Sequence, residues 1–188
     1  MVRLPLTTEH ALLGFLRRRP MYGYEIYQQL SDPAGLGLVW RLKQSQLYAL
    51  LARLEHEGYI TATLEPQDAR PPRKVFRLTE AGREAFLAWV QSPVPRGRAL
   101  RLEFLAKLYF ARHEGLGVVE RLVAAQRAAC QSWRAEQQAQ AAARRDAHPY
   151  DWLVCQFRIG QIEAMLAWLD TCQQMIAENG HAGSPTRR

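Results

Sequence analysis

The sequence predicts a mainly α-helical protein with one small β-hairpin, divided into two parts of similar length. Three observations predict it. Apolar residues recur at spacings of three and four over most of the 188-residue chain. A single pair of short β-prone runs, 59–64 and 74–78, interrupts that pattern. Two prolines and a glycine fall within Ser92-Pro93-Val94-Pro95-Arg96-Gly97-Arg98, a stretch that no helix can cross. The expected organisation is a first domain over 1–92, a linker over 93–98, a helical domain over 99–180 and a small, polar, disordered tail over 181–188.

In order along the chain, Thr7 or Thr8 can cap a first helix, with Glu9 in its first turn. It runs to about Arg18 and is stopped by Pro20. A second helix covers about Tyr22 to Leu30 and ends at Ser31-Asp32-Pro33, before a loop with Gly35 and Gly37. The third helix, about Lys43 to Glu57, sets Leu47, Leu50, Leu51 and Leu54 on one narrow stripe. Gly58 follows where a left-handed cap belongs. Tyr59–Leu64 and Lys74–Leu78 read as two strands joined by a polar, basic loop of about nine residues containing Pro66, Pro71 and Pro72. Thr79-Glu80 caps a fourth helix to about Gln91.

After the linker all segments read helical: 99–112, then about 118–146, then a final helix opened by Pro149. The 118–146 helix spans about 40 Å, more apolar surface than its own domain is expected to cover. That face is therefore expected to pack on a second subunit, through Leu102, Leu105, Leu108, Leu122, Trp133, Phe157, Ile162, Leu166, Trp168 and Leu169.

At 48% hydrophobic and 23% charged residues the composition is that of a folded chain, and no apolar run reaches a membrane span. The start, MVRLPLTTEH, has no secretory h-region, and three unpatterned cysteines (130, 155 and 172) fit reduced thiols, so a cytoplasmic protein is expected. The five histidines are scattered, so no metal or other cofactor is expected. Neither GxGxxG, GxxxxGK[ST] nor GxSxG occurs, and the βαβ pattern that hosts many catalytic sites is missing; the chain reads as no enzyme. The net charge of +7 admits a polyanionic partner. Locally, Arg70, Arg73, Lys74, Arg77 and Arg83 face a single acid, Glu80, within 70–83.

Three helices, a basic-tipped hairpin and a further helix describe a winged helix-turn-helix. Opposite the leucine stripe, the third helix carries small Ser45, Ala49 and Ala52, which let its backbone approach a groove floor. Gln44 and Gln46 suit base edges, adenine in particular. Arg41, Lys43 and the helix N-terminus suit phosphate, and the Arg70-Arg73-Lys74 wing suits the backbone or the neighbouring minor groove. The interface expected on double-stranded DNA comprises Tyr24, Arg41, Lys43, Gln44, Ser45, Gln46, Tyr48, Ala49, Arg53, Arg70, Arg73 and Lys74.

Gly23-Tyr24-Glu25, SQLYALLARLEHEGYI (45–60) and RKVFRLTEAGREAF (73–86) resemble the PadR family of bacterial transcriptional regulators. LRLEFLAKLYFA (100–111) and WLD (168–170) are similar to the helical C-terminal domain of its longer members, and LEPQ (64–67) to the AphA-like virulence-activator branch. The resemblance implies a homodimer on an imperfect palindrome, with Tyr48 on the DNA backbone. The chain departs from the family at Ser45-Gln46 and Ala49, where Gly-Thr and Pro are frequent, so no operator carries over.

Other readings stay open for several of these residues. Tyr48 can instead pack on the hairpin, and Gln44 and Gln46 can be solvated. Arg17, Arg18 and Arg19 can simply end a helix in water. Trp133, Trp152 and Trp168 fit packing or, less simply, a pocket for a small-molecule effector. For the whole chain, the alternatives to a sequence-specific regulator are a non-specific architectural nucleic-acid binder and a winged module that binds protein instead of DNA.

Overall fold

The computed structural model describes residues 7–67, 70–145 and 148–182; the side chains of 7, 8, 67, 70–72 and 179–182 lie outside that description. The chain forms two compact units, 1–91 with 101–113, and 92–100 with 114–188.

In the first unit, helix α1 (Thr7–Leu16) is followed by strand β1 (Met21–Tyr22), α2 (Gly23–Ser31), a 3₁₀ turn at Leu36–Leu38, α3 (Gln44–His56), β2 (Ile60–Gln67), β3 (Arg70–Leu78), α4 (Glu80–Gln91) and α5 (Glu103–Glu114). Here α1 is the central element: Ala11, Leu12, Leu13, Phe15 and Leu16 are all buried, as expected of a helix apolar around most of its girth. It packs against α3, α4 and β3. Burying each large side chain removes apolar surface worth about 1.5–3 kcal/mol from water. Leu47, Leu51 and Leu54 bring the α3 stripe fully into this core, while Leu50 stays at its margin.

The caps follow the local sequence. Gly58 ends α3 at φ +80°, a conformation that costs a side-chain-bearing residue energy. Thr79 Oγ1 accepts the Gly82 N–H at 3.1 Å, starting α4. The cap expected of Thr7 or Thr8 lies outside the described side chains.

The hairpin differs from expectation in two respects. It is longer: residues expected in a nine-residue loop continue the ladder, with Glu65 opposite Arg73 and Gln67 opposite Arg70 across an irregular step. Sheet order is β1-β3-β2, and β1 meets β3 only at Val75 and Phe76. Pro71 and Pro72 lie opposite the irregular step between Glu65 and Gln67, on a part of β3 paired only with β2. Of the two adjacent nitrogens one points to the open side and the other falls at the irregularity, where prolines are tolerated. The second difference is β1 itself, in a stretch expected to begin a helix. Tyr22 is extended and α2 starts one residue later.

The larger correction concerns α5. The sequence places 99–112 in a helical second domain, but α5 belongs to the first unit. Phe104, Ala106, Phe110 and Ala111 are buried there. Phe110 meets Phe15, Phe86 and Trp89 edge-on, at centroid separations of 5.2–6.3 Å. Beside them Lys107 is buried against Glu103 (3.5 Å) and lies over the Trp89 ring. Burial pushes its ammonium group below the usual lysine range, with Glu103 opposing the shift. Nor is 93–98 a free linker: Val94 is buried, and its N–H donates to Gln126 Oε1 at 2.7 Å within the second unit.

The second unit is a helical hairpin of α6 (Leu116–Arg144) and α7 (Pro149–Ala182). Ala141 packs beside Cys155 and Ile159 while Arg127 pairs with Asp170 at 2.8 Å, so the helices run antiparallel. The expectation that α6 reserves its apolar face for another subunit is overturned. Val119, Leu122, Val123 and Cys130 are buried within this chain, opposite a stripe of Cys155, Ile159, Ile162, Leu166 and Leu169 on α7. Of the residues expected at a dimer interface, Leu122, Ile162, Leu166 and Leu169 are consumed in this seam, and half-buried Trp133 follows the same face of α6. Leu102, Leu105 and Leu108 fall in the first unit, with Leu102 exposed and the other two half-buried. Only Phe157 (66% exposed) and half-buried Trp168 point away from the seam. They share the opposite face of α7 with exposed Tyr150, Leu153 and Met175. The helix is thus apolar on two sides. Of the tail, residues 181 and 182 end α7 and 183–188 lie outside the described residues.

Candidate nucleic-acid interface

With three leucines locked in the core, the opposite face of α3 turns outward. Arg41, Lys43, Gln44, Ser45, Gln46, Tyr48 and Ala49 are all exposed, as are Ala52 and His56 further along. The central positions are small, so the helix backbone is accessible along this face.

Gln46 has a second engagement. Its Oε1 accepts the Lys43 N–H at 3.0 Å, satisfying a donor at the start of α3. That bond uses one of the two lone pairs of Gln46 Oε1, so Gln46 shares its amide between the helix start and any base edge, while Gln44 forms no such capping bond. The same device opens α2, where Glu25 Oε2 accepts the Tyr22 N–H at 2.8 Å. Arg19, one of three arginines left open by the sequence, pairs with Glu25 at 2.9 Å. That hydrogen bond, with the Tyr22 N–H, holds the Glu25 carboxyl below its usual range against a smaller opposing effect of burial.

Tyr48 packs on the start of α2 and not on the hairpin. The ring lies against Gly23, so closely that a Cβ there would come within 2.7 Å of it, yet the side chain remains 44% exposed. Gly23 therefore seats Tyr48 at the surface between α2 and α3. Tyr24, 56% exposed, accepts a hydrogen bond from Gln28 at 3.0 Å.

Arg53 is half-buried and engaged within the unit. Its guanidinium lies 3.0 Å from Oε1 of Glu9, a fully buried carboxylate on α1, and 3.0 Å from Glu57. The Glu57 hydrogen bond raises its pKa further. A buried carboxylate needs a counter-ion or hydrogen-bond partners, and Arg53 has that structural duty toward Glu9.

The wing cations also separate. Neighbours on a strand point to opposite faces. Lys74, in register with Leu64, lies on the α3 side, where it pairs with Glu55 at 3.2 Å. Arg73, in register with Glu65, lies on the other side over the Tyr22 ring, 5.9 Å from its centroid. The Arg70 side chain lies outside the described residues. Sequence reading missed the acids: Glu9, Glu55 and Glu65, together with Tyr22. Strand parity counted from Ile60 places Glu65 with Arg73, but the partners of Glu9 and Glu55 are separated from them by many residues and leave no local signal.

No cluster of three or more metal-binding side chains occurs among the described residues, and no described helix is long and apolar enough to cross a membrane.

Comparison with known proteins places these elements. Residues 12–88 match the transcriptional regulator PadR-like family, and residues 100–177 match the virulence activator alpha C-terminal family. The negative transcriptional regulator PadR of Bacillus subtilis is 32% identical over 102 residues, 54% of this chain and 55% of that protein. A candidate transcriptional regulator of Mycobacterium tuberculosis is 29% identical over 96 residues, 48% of this chain and 50% of its own length. The matches thus span about half the length of these curated relatives. Among solved structures, B. subtilis PadR in complex with operator DNA superposes with a TM-score of 0.47 at 24% identity, covering 91% of this chain and 99% of that one. With one model on the winged unit and the other on the helices that follow, the chain is similar in both parts to long-form PadR-like transcriptional regulators.

Proposed function

We propose that this chain is a sequence-specific DNA-binding regulator that acts as a homodimer on an imperfect palindrome. The observation that carries the reading is the outward face of α3: polar at its N-terminus, small at its centre and backed by leucines that hold it rigidly on the core. The N-terminal turn enters the major groove, with Gln44 at base edges and Arg41 and Lys43 at phosphates. Tyr48 and Tyr24 flank it, and the wing reaches the adjoining backbone. The outward stripe of α7, Tyr150-Leu153-Phe157 continued by Trp168 and Met175, supports the dimer, because such a stripe on a long helix is the kind of face a second copy covers. Two recognition helices per assembly call for half-sites about 34 Å apart or a multiple of that.

The reading is tested by selecting bound duplexes from a random pool at about 150 mM salt, where non-specific binding is weakened, with the mass of the eluted protein measured alongside. Enrichment of an inverted repeat bound by a dimer is expected. A flat pool with salt-sensitive retention overturns sequence specificity and leaves an architectural binder. Gln44→Ala is expected to cost about 1–3 kcal/mol on the enriched duplex and to relax one base position; equal loss on all duplexes would assign Gln44 to positioning alone. Phe157→Glu is expected to give a monomer by light scattering with an unchanged far-ultraviolet spectrum, since the side chain lies outside the α6–α7 seam. A dimer persisting in that variant places the interface elsewhere.

A further inference from the structure

Arg73 and Glu65 face each other across β2 and β3, on the same side of the wing. An opposite-charge pair in that position ordinarily closes into an ion pair. Here none is formed within 4 Å among the described residues. The Glu65 carboxylate is held instead by Tyr22, whose hydroxyl donates to Oε2 at 2.7 Å. Arg73 lies over the face of the same ring.

Tyr22 is itself fixed. Its backbone pairs with Val75 in the sheet, and its N–H is bound by Glu25 at the start of α2. Accepting from Tyr22 ties Glu65 down, and that hydrogen bond, with burial and the carboxylate's charge adding to it, makes the phenol harder to ionise. Lys74 shows the contrasting arrangement, since its ammonium is engaged by Glu55 of α3.

We propose that Tyr22 is a positioning residue for DNA binding: by holding Glu65 and offering its ring to Arg73, it keeps the Arg73 guanidinium donors free for a phosphate. The inference rests on the DNA-binding reading above. A guanidinium over an aromatic face keeps its in-plane N–H groups available, whereas one closed on a carboxylate has to exchange that partner before meeting a phosphate. The wing's contribution to DNA is then set by a hydroxyl on β1 that never touches the duplex, and Arg73, not Lys74, is the wing cation presented.

The test uses the full chain and a mixed-sequence duplex of about 30 base pairs, titrated at several salt concentrations. Tyr22→Phe keeps the ring but releases Glu65 to Arg73. It is expected to weaken binding about 5–10-fold and to flatten the slope of log K against log salt by about 1, matching Arg73→Ala. Adding Glu65→Gln to Tyr22→Phe is expected to restore affinity and slope to near the wild-type values. A hydroxyl of merely structural importance would not be rescued in this way, and thermal melts of the variants separate loss of folding from loss of binding. Unchanged binding in Tyr22→Phe, or a loss that Glu65→Gln does not reverse, overturns the inference while wild-type binding stands. A wild-type chain that binds no duplex overturns the DNA reading and this inference together.

Discussion

Phe110→Ala is expected to destabilise the first unit by about 3–5 kcal/mol, the range for removing a buried aromatic side chain. The ring contacts Phe15 from α1, Phe86 and Trp89 from α4 and Tyr109 of its own helix, each at a centroid separation of 5.1–6.3 Å. Its own exposure is 3%, so truncation leaves a cavity among aromatic rings that close only partly. The loss is large against the 5–15 kcal/mol that holds a typical domain together. The measurement is a urea midpoint, with amide hydrogen exchange read in α1 and α4. Faster exchange in those helices is expected, because α5 completes their core. If the amides of α1 and α4 keep their protection while only those after residue 98 lose it, α5 belongs with the second unit, as the sequence periodicity alone suggests.

Arg53→Ala is expected to destabilise the same unit by about 2–3 kcal/mol. Breaking a fully buried ion pair costs roughly 3–5 kcal/mol; Arg53 is 37% exposed, and water reaching its side of the pair reduces that figure. What remains is the cost of taking the Arg53 cation from Glu9, which is fully buried on α1. Adding Glu9→Gln to Arg53→Ala is expected to recover most of the loss, since a neutral amide is far cheaper to bury than a carboxylate. The two denaturation midpoints measure this directly. Binding supplies an independent check. Arg53→Ala is expected to leave the salt slope for DNA unchanged, where a phosphate contact would lower it by about 1. A lowered slope at unchanged stability would instead assign Arg53 to a phosphate contact.

Much of the winged unit was legible from local chemistry. The leucine stripe of α3 defines both its buried side and, by subtraction, its outward one. Gly58 and Thr79 mark the ends of α3 and α4 through backbone preferences that need no distant partner. Those signals act over three or four residues, the distance over which a sequence constrains itself.

The misreadings share a different cause. An apolar stripe says that a face is covered but not by what. The α6 stripe reads as a subunit interface until α7 is folded against it. The α5 stripe reads as part of a helical domain until Phe110 is found among the rings of α1 and α4. Proline at 71 and 72 reads as loop because the sequence does not reveal that β3 is open on one side there and meets an irregular step on the other.

Cationic side chains divide in the same way. Arg53, Arg73 and Lys74 look alike in the sequence, three cations on or near α3. Their different positions follow from acids supplied elsewhere in the chain: Glu9 takes Arg53, Glu55 takes Lys74, and Tyr22 holds Glu65 beside Arg73. By itself the sequence determined most of the helices, the caps at Gly58 and Thr79 and the outward face of α3. Only the tertiary structure decided which apolar face meets which and which charge is compensated, because those choices are made between residues far apart in the chain and brought together by burial of the core.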